Sequence, residues 1–178
     1  NTNSNPYDPR DCDMLPDGLT RVINCSISST LEILGDCADR TQQYRRAMSY
    51  YRKAIRRRRM HPFHAKLAVA VGRTSSDAEA NLHLKEARCL ASLGNVVEAS
   101  SLLETNVPRG NPHRNANICM DLGSFYFASG HNKSAIRSFL EALEKNPYAL
   151  EAVERLVILG ADRTDVIHSA LDGVRTCN

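Results

Sequence analysis

The sequence is short of chain breakers, long apolar runs and paired cysteines, and each shortage excludes something. Glycine (9) and proline (7) are sparse, and they are sparsest where apolar residues recur with a helical period. No apolar run approaches the roughly 20 residues that span a bilayer, so no membrane partner is expected. The opening NTNSNPYDPRDCD has no basic segment followed by an apolar one. It does not read as a signal peptide, and residues 1–25 are expected as a polar, partly disordered lead-in. The six cysteines, at 12, 25, 37, 89, 119 and 177, form no CxxC pair. They read as reduced thiols of an intracellular protein rather than a disulfide framework, with Cys89 and Cys119 as small buried hydrophobes.

Catalytic signatures are missing too. There is no GxSxG, HExxH, P-loop or GxGxxG. His61 and His64 form an H-x-x-H pair, but no cysteine or carboxylate stands at the spacing that would complete a metal site. The expectation is a non-enzyme without metal or cofactor.

Acidic residues are absent from one long segment. Between Arg40 and Arg73 there are eleven lysines and arginines and no aspartate or glutamate. The rest of the chain carries twelve basic and twenty acidic residues, a net of −8. The basic segment includes the run Arg56-Arg57-Arg58-Arg59.

What is present is helical. Asp77 is placed to cap a helix running to Leu93, stopped by Gly94-Asn95. Further helices are predicted over about Val96–Thr105, Asn115–Ala128, Lys133–Lys145, Ala149–Leu159 and Thr164–Val174, the last preceded by Asp162 as a cap. Only KLAVAVG could pass for a strand. The fold class is all-α, with short turns that make antiparallel pairs.

One stretch identifies the pairs. DLGSFYFASGHNKSAIRSFLEALEKNP carries Leu122, Gly123, Tyr126, Ala135, Phe139, Ala142 and Pro147, the spacing L-G-x-x-Y … A-x-x-x-F … P of a tetratricopeptide repeat. Cys119 takes the tryptophan place. Small residues at 123 and 135 let the two helices cross closely, while Tyr126 and Phe139 fill the flanks. A weaker copy surrounds Ala99. Another has Leu34, Gly35, Ala47, Tyr51 and Ala54. The expected organisation over 26–178 is a superhelix with repeats at about 28–59, 80–112 and 115–147, a partial pair at 149–174, and an insertion at about 58–76. The arginine run then closes the second helix of the first repeat, where positive charge suits the helix dipole. A targeting signal or a site for an acidic partner is the second reading of that run. Nucleic-acid binding is the third, because no base-reading motif accompanies it.

An array of such pairs works by shape, with first helices lining a concave groove. The groove is expected at Asn81, Leu84, Arg88, Asn117, Met120, Ser124 and Phe127, continuing to Ser29, Glu32, Asp36 and Asp39. No dicarboxylate-clamp arrangement of lysine and asparagine is apparent there.

The segments QYRRAMSYYRKAI, KEARCLASLGNVVEASSLLETNVP and, above all, NPYALEAVERLVILGADRTDVI resemble the N-terminal region of the subunit-seven family of the anaphase-promoting complex (cyclosome). The resemblance covers roughly Leu31 to Leu171. It implies a non-catalytic scaffold of a ubiquitin ligase that acts in the cell cycle, present in nucleus and cytoplasm. It also implies homodimerisation through N-terminal repeats, contact with other tetratricopeptide subunits, and a part in holding coactivator tails. The alternative is a free-standing peptide-binding adaptor that uses the groove around Arg88, Met120 and Phe127.

Overall fold

The structure, a computed structural model, describes residues 17–59 and 75–176. Those residues form eight helices and no strand. They are α1 (Asp17–Arg40), α2 (Tyr44–Arg59), α3 (Ser75–Ser92), α4 (Val96–Asn106), α5 (Ala116–Ala128), α6 (Asn132–Lys145), α7 (Leu150–Ile158) and α8 (Arg163–Thr176). The KLAVAVG stretch, His61, His64 and most of the expected insertion lie outside the described residues. Helix α1 reaches back to Asp17, into the expected lead-in. Helix α3 begins at Ser75, so Asp77 sits in its first turn instead of capping it. Two helix starts follow from side-chain chemistry. Asn115 accepts from the Ile118 N–H at 3.0 Å and opens α5; Asp162 accepts from the Thr164 N–H at 3.0 Å and opens α8.

The first helix of every pair ends the same way. Gly94, Gly130 and Gly160 have φ of +88°, +76° and +68°. After each, the next N–H reaches back to a carbonyl five residues earlier: Asn95 to Leu90, His131 to Tyr126, Ala161 to Leu156. This is the left-handed cap that glycine adopts without strain. Helix α1 makes the same turn, Gln43 N–H to the Ala38 carbonyl at 2.8 Å, with Gln42 at φ +59° in the glycine's place.

Within pairs, the expected small-against-large contacts form. A Cβ on Gly123 would fall 2.5 Å from the Phe139 ring, and one on Gly35 would meet the Tyr51 ring as closely. Ala47, Ala54, Ala99, Ala135 and Ala142 are wholly buried, as are Leu122 and Phe139, with Tyr51 nearly so. Tyr126 and Pro147 are half-buried. One buried cluster runs from α1 to α5, with Ile118, Leu122 and Phe125 facing it. A second runs from α5 to α8 and takes Cys119. Helix α5 is therefore covered on two faces, which explains why its sequence is apolar nearly all round.

Two expectations fail on packing. Leu34, assigned to the repeat core, is 42% exposed: no helix among the described residues covers that side of α1. The partial pair at 149–174 forms both helices, yet α7 and α8 each pack on α6 and scarcely touch one another. Gly173 allows this, because a Cβ there would lie 2.6 Å from the Leu143 carbonyl oxygen.

Candidate protein-interaction surfaces

The first helices α1, α3 and α5 lie side by side, and charge links them. Lys85 Nζ on α3 reaches Glu32 at 2.9 Å and Asp36 at 2.8 Å on α1. Tyr51 of α2 donates to the same Asp36 at 2.9 Å. Burial alone would lower the Lys85 pKa, but its bonds to Asp36 and Glu32 outweigh burial and hold it above the usual lysine value. Burial and the Asp36 bond push the Tyr51 phenol well up. On the next interface Arg88 of α3 pairs with Asp121 of α5 at 2.5 Å. Burial there wins over Arg88, leaving the Asp121 carboxyl above its ordinary range.

These links revise the expected groove. Leu84 is buried, at 5% exposure, because it joins the core shared by α1 to α5; it cannot line an open surface. Arg88 is committed to Asp121, while Lys85 is shared between Glu32 and Asp36 and Arg58 also pairs with Glu32. Ser124 donates to the Met120 carbonyl at 3.0 Å, and Met120 is half-buried. Asn81, Asn117 and Phe127 remain exposed. The structure thus brings the expected residues onto adjacent helices but leaves only part of them open to a ligand.

The arginine run splits in two. Arg58 donates to Glu32 at 3.0 Å and to Ser28 at 3.0 Å on α1. Arg59 pairs with Glu79 at 2.5 Å on α3 and lies 3.3 Å from His83. Higher on α2, Arg52 pairs with Glu86 at 2.5 Å. Burial would raise the Glu86 carboxyl, but bonds from His83 and Arg52 prevail and hold it below the usual range. Arg56 and Arg57 have no carboxylate partner among the described residues and stay exposed.

A network unforeseen from the sequence ties the 107–115 turn to the array. Arg114 is 1% exposed. Its guanidinium lies 3.2 Å from Glu104 of α4, 3.1 Å from the Val107 carbonyl and 2.9 Å from Glu141 of α6. Tyr126 donates to the same Glu104 at 3.2 Å. The only sequence signal was an arginine beside a proline and histidine turn, which carries no hint of burial. No group of histidines, cysteines and carboxylates able to hold a metal ion is found among the described residues.

Among the described residues, two outer faces are apolar and uncovered. On α1, Ile27, Ile33 and Leu34 are 36%, 61% and 42% exposed, with Cys37 exposed on the same side. At the other end Leu150, Val157 and Ile158 of α7, and Ile167 and Leu171 of α8, are exposed.

The tetratricopeptide-repeat family matches residues 28–59 and 116–148, the first from Ser28 within α1 to the end of α2 and the second the α5–α6 pair with the start of the turn after it. The fold is a tetratricopeptide-repeat solenoid. The α3–α4 pair between them carries Glu86 and Ala87 where those repeats have leucine and glycine. The chain is also similar to human anaphase-promoting complex subunit 7, at 24% identity over 142 residues. That similarity covers 76% of this chain, which spans about a quarter (25%) of the human protein's length. No helix among the described residues is long and apolar enough to cross a membrane.

Proposed function

We propose that the chain is a non-catalytic assembly module of an anaphase-promoting-complex-type ubiquitin ligase. In this reading the outer face of α1 takes the same face of a second copy, and the face of α7 and α8 takes a neighbouring tetratricopeptide subunit. Coactivator tails are further partners, and the setting is nuclear and cytoplasmic. The observation that carries the reading is the fate of one repeat position. Leu122 is fully buried on the side of the preceding pair. Glu86, at the same place in the second repeat, is buried against Arg52 of α2. Leu34 holds that place in α1 and is exposed. Stacking of pairs covers this position wherever a pair precedes it, so α1 presents a surface shaped for helix packing. The similarity to human subunit 7 supports the choice of complex.

Cys37 lies one turn beyond Leu34, at the C-terminal end of that face, and tests it. In a Cys12→Ser, Cys25→Ser, Cys177→Ser background, a nitroxide on Cys37 should report a second label at about 15–25 Å, given packed helices 8–10 Å apart. Leu34→Asp should abolish the coupling. A sample with no intermolecular coupling would leave the adaptor reading ahead. That reading keeps one observation in its favour: Asn81, Asn117 and Phe127 are open on the first helices.

A further inference from the structure

The part of the basic segment that the fold does not consume lines a groove on the opposite, second-helix side of the array. It is an open cleft of about 510 Å³ between α2 and the α3–α4 turn. Arg45, Arg52 and Arg56 recur on one side of α2 at helical spacing, and Lys53 joins them. The opposing wall is mixed: Leu93 is 38% exposed over a buried Leu90, beside Asn95 and Glu98. Glu98 at the rim is the carboxylate among the lining residues, and it accepts from Asn95 at 3.4 Å. Arg52 is held by Glu86. Arg45, Lys53 and Arg56 have no carboxylate partner among the described residues. Lys53 lies over the Tyr50 ring at 5.9 Å.

Helix α2 holds eight arginines and lysines in sixteen residues and no acidic one. Helix-dipole compensation asks for positive charge only in the last turn, so Arg45 and Lys53 are outside that explanation. Unpaired like charges on one helix repel each other, a cost that an anionic partner would remove. We propose that this groove binds a short acidic segment of a partner protein, its carboxylates on Arg45, Lys53 and Arg56 and an apolar side chain on Leu93. The charge complement selects an anion, and Leu93 selects one carrying an apolar side chain. Outside the segment from Arg40 to Arg73 the chain has a net charge of −8. A long polyanion such as nucleic acid would be repelled once it passed beyond the patch, whereas a short acidic peptide would not. The groove is separate from the outer face of α1, so this inference does not depend on dimerisation.

The test is fluorescence anisotropy at physiological ionic strength. The probe is a short fluorescein-labelled peptide of glutamates and aspartates around two leucines, with an oligothymidylate of equal length beside it. The peptide should bind saturably to the full chain. Arg45→Glu with Arg56→Glu should weaken it about tenfold or more, Leu93→Ser should weaken it several-fold, and the oligothymidylate should bind more weakly than the peptide. All three altered residues are exposed; if the double variant loses its helical dichroism, Arg45→Gln with Arg56→Gln gives the same reading. Absence of saturable peptide binding, or binding indifferent to the variants, overturns the proposal. So does an oligothymidylate that binds as tightly and displaces the peptide, which would assign the groove to nucleic acid.

Discussion

At the scale of single residues, buried charge governs the middle of the array. Arg114 is surrounded by Glu104, Glu141 and the Val107 carbonyl, and removing it would leave Glu104 with Tyr126 and Glu141 with Arg109 at 4.0 Å as their remaining partners. Breaking one partner out of a buried ion network costs about 3–5 kcal/mol. Arg114→Ala should lower stability by about that amount in urea unfolding, whereas Arg57→Ala, at an exposed site, should change it by less than about 0.5 kcal/mol. The thiols make a second case. Burial, reinforced by Asp39 at Cys89 and by Glu141 at Cys119, pushes both up to about 12 from 9.0. A raised folded-state value favours the protonated fold. The stabilisation is thus fully present below pH 9 and is lost as pH rises toward 12. Stability should therefore decline across that window. At pH 8, in the Cys12→Ser, Cys25→Ser, Cys177→Ser background, Cys37 alone should react with a disulfide reagent until the chain is unfolded, since Cys89 and Cys119 are buried.

At the scale of helices, the fold rests on close crossings. Gly173 brings α8 against the Leu143 and Glu144 carbonyls of α6, and backbone cannot yield as a side chain can. Gly173→Ala should cost about 1–3 kcal/mol and detach α8. Amide exchange should accelerate over 163–176 while α1 to α5 keep their protection. Helix positions were largely legible in the sequence, because glycine caps and apolar periodicity are local signals. The third repeat was legible almost residue by residue, since Gly123, Ala135 and Phe139 serve a contact within one pair. What periodicity cannot tell is which neighbour covers an apolar or charged face. Leu84 and Leu34 both sit on first helices; one is buried and the other exposed because a pair precedes the first and none among the described residues precedes the second. The Arg88–Asp121 and Lys85–Asp36 links span residues 33 and 49 apart, and Arg114 reaches two helices at once. None of these leaves a local trace.

At the scale of the molecule, the described residues leave apolar faces uncovered on α1 and on α7 with α8, and charge is sorted over the other surfaces. The first helices are joined by ion pairs, which use up much of what a peptide would need there. The apolar faces lie outside, on α1 and on α7 with α8, where a stacked array gains by continuing. That distribution supports the proposed assembly role over the adaptor reading. The acidic-peptide contact proposed for the basic cleft of α2 uses residues separate from those of either end. The direct measurement is absolute mass by light scattering across a dilution series, against a monomer of 19.8 kDa. The account predicts a mass about twice that value, returning to 19.8 kDa when Leu34 is replaced by aspartate. A mass of 19.8 kDa at every concentration for the unaltered chain would contradict it.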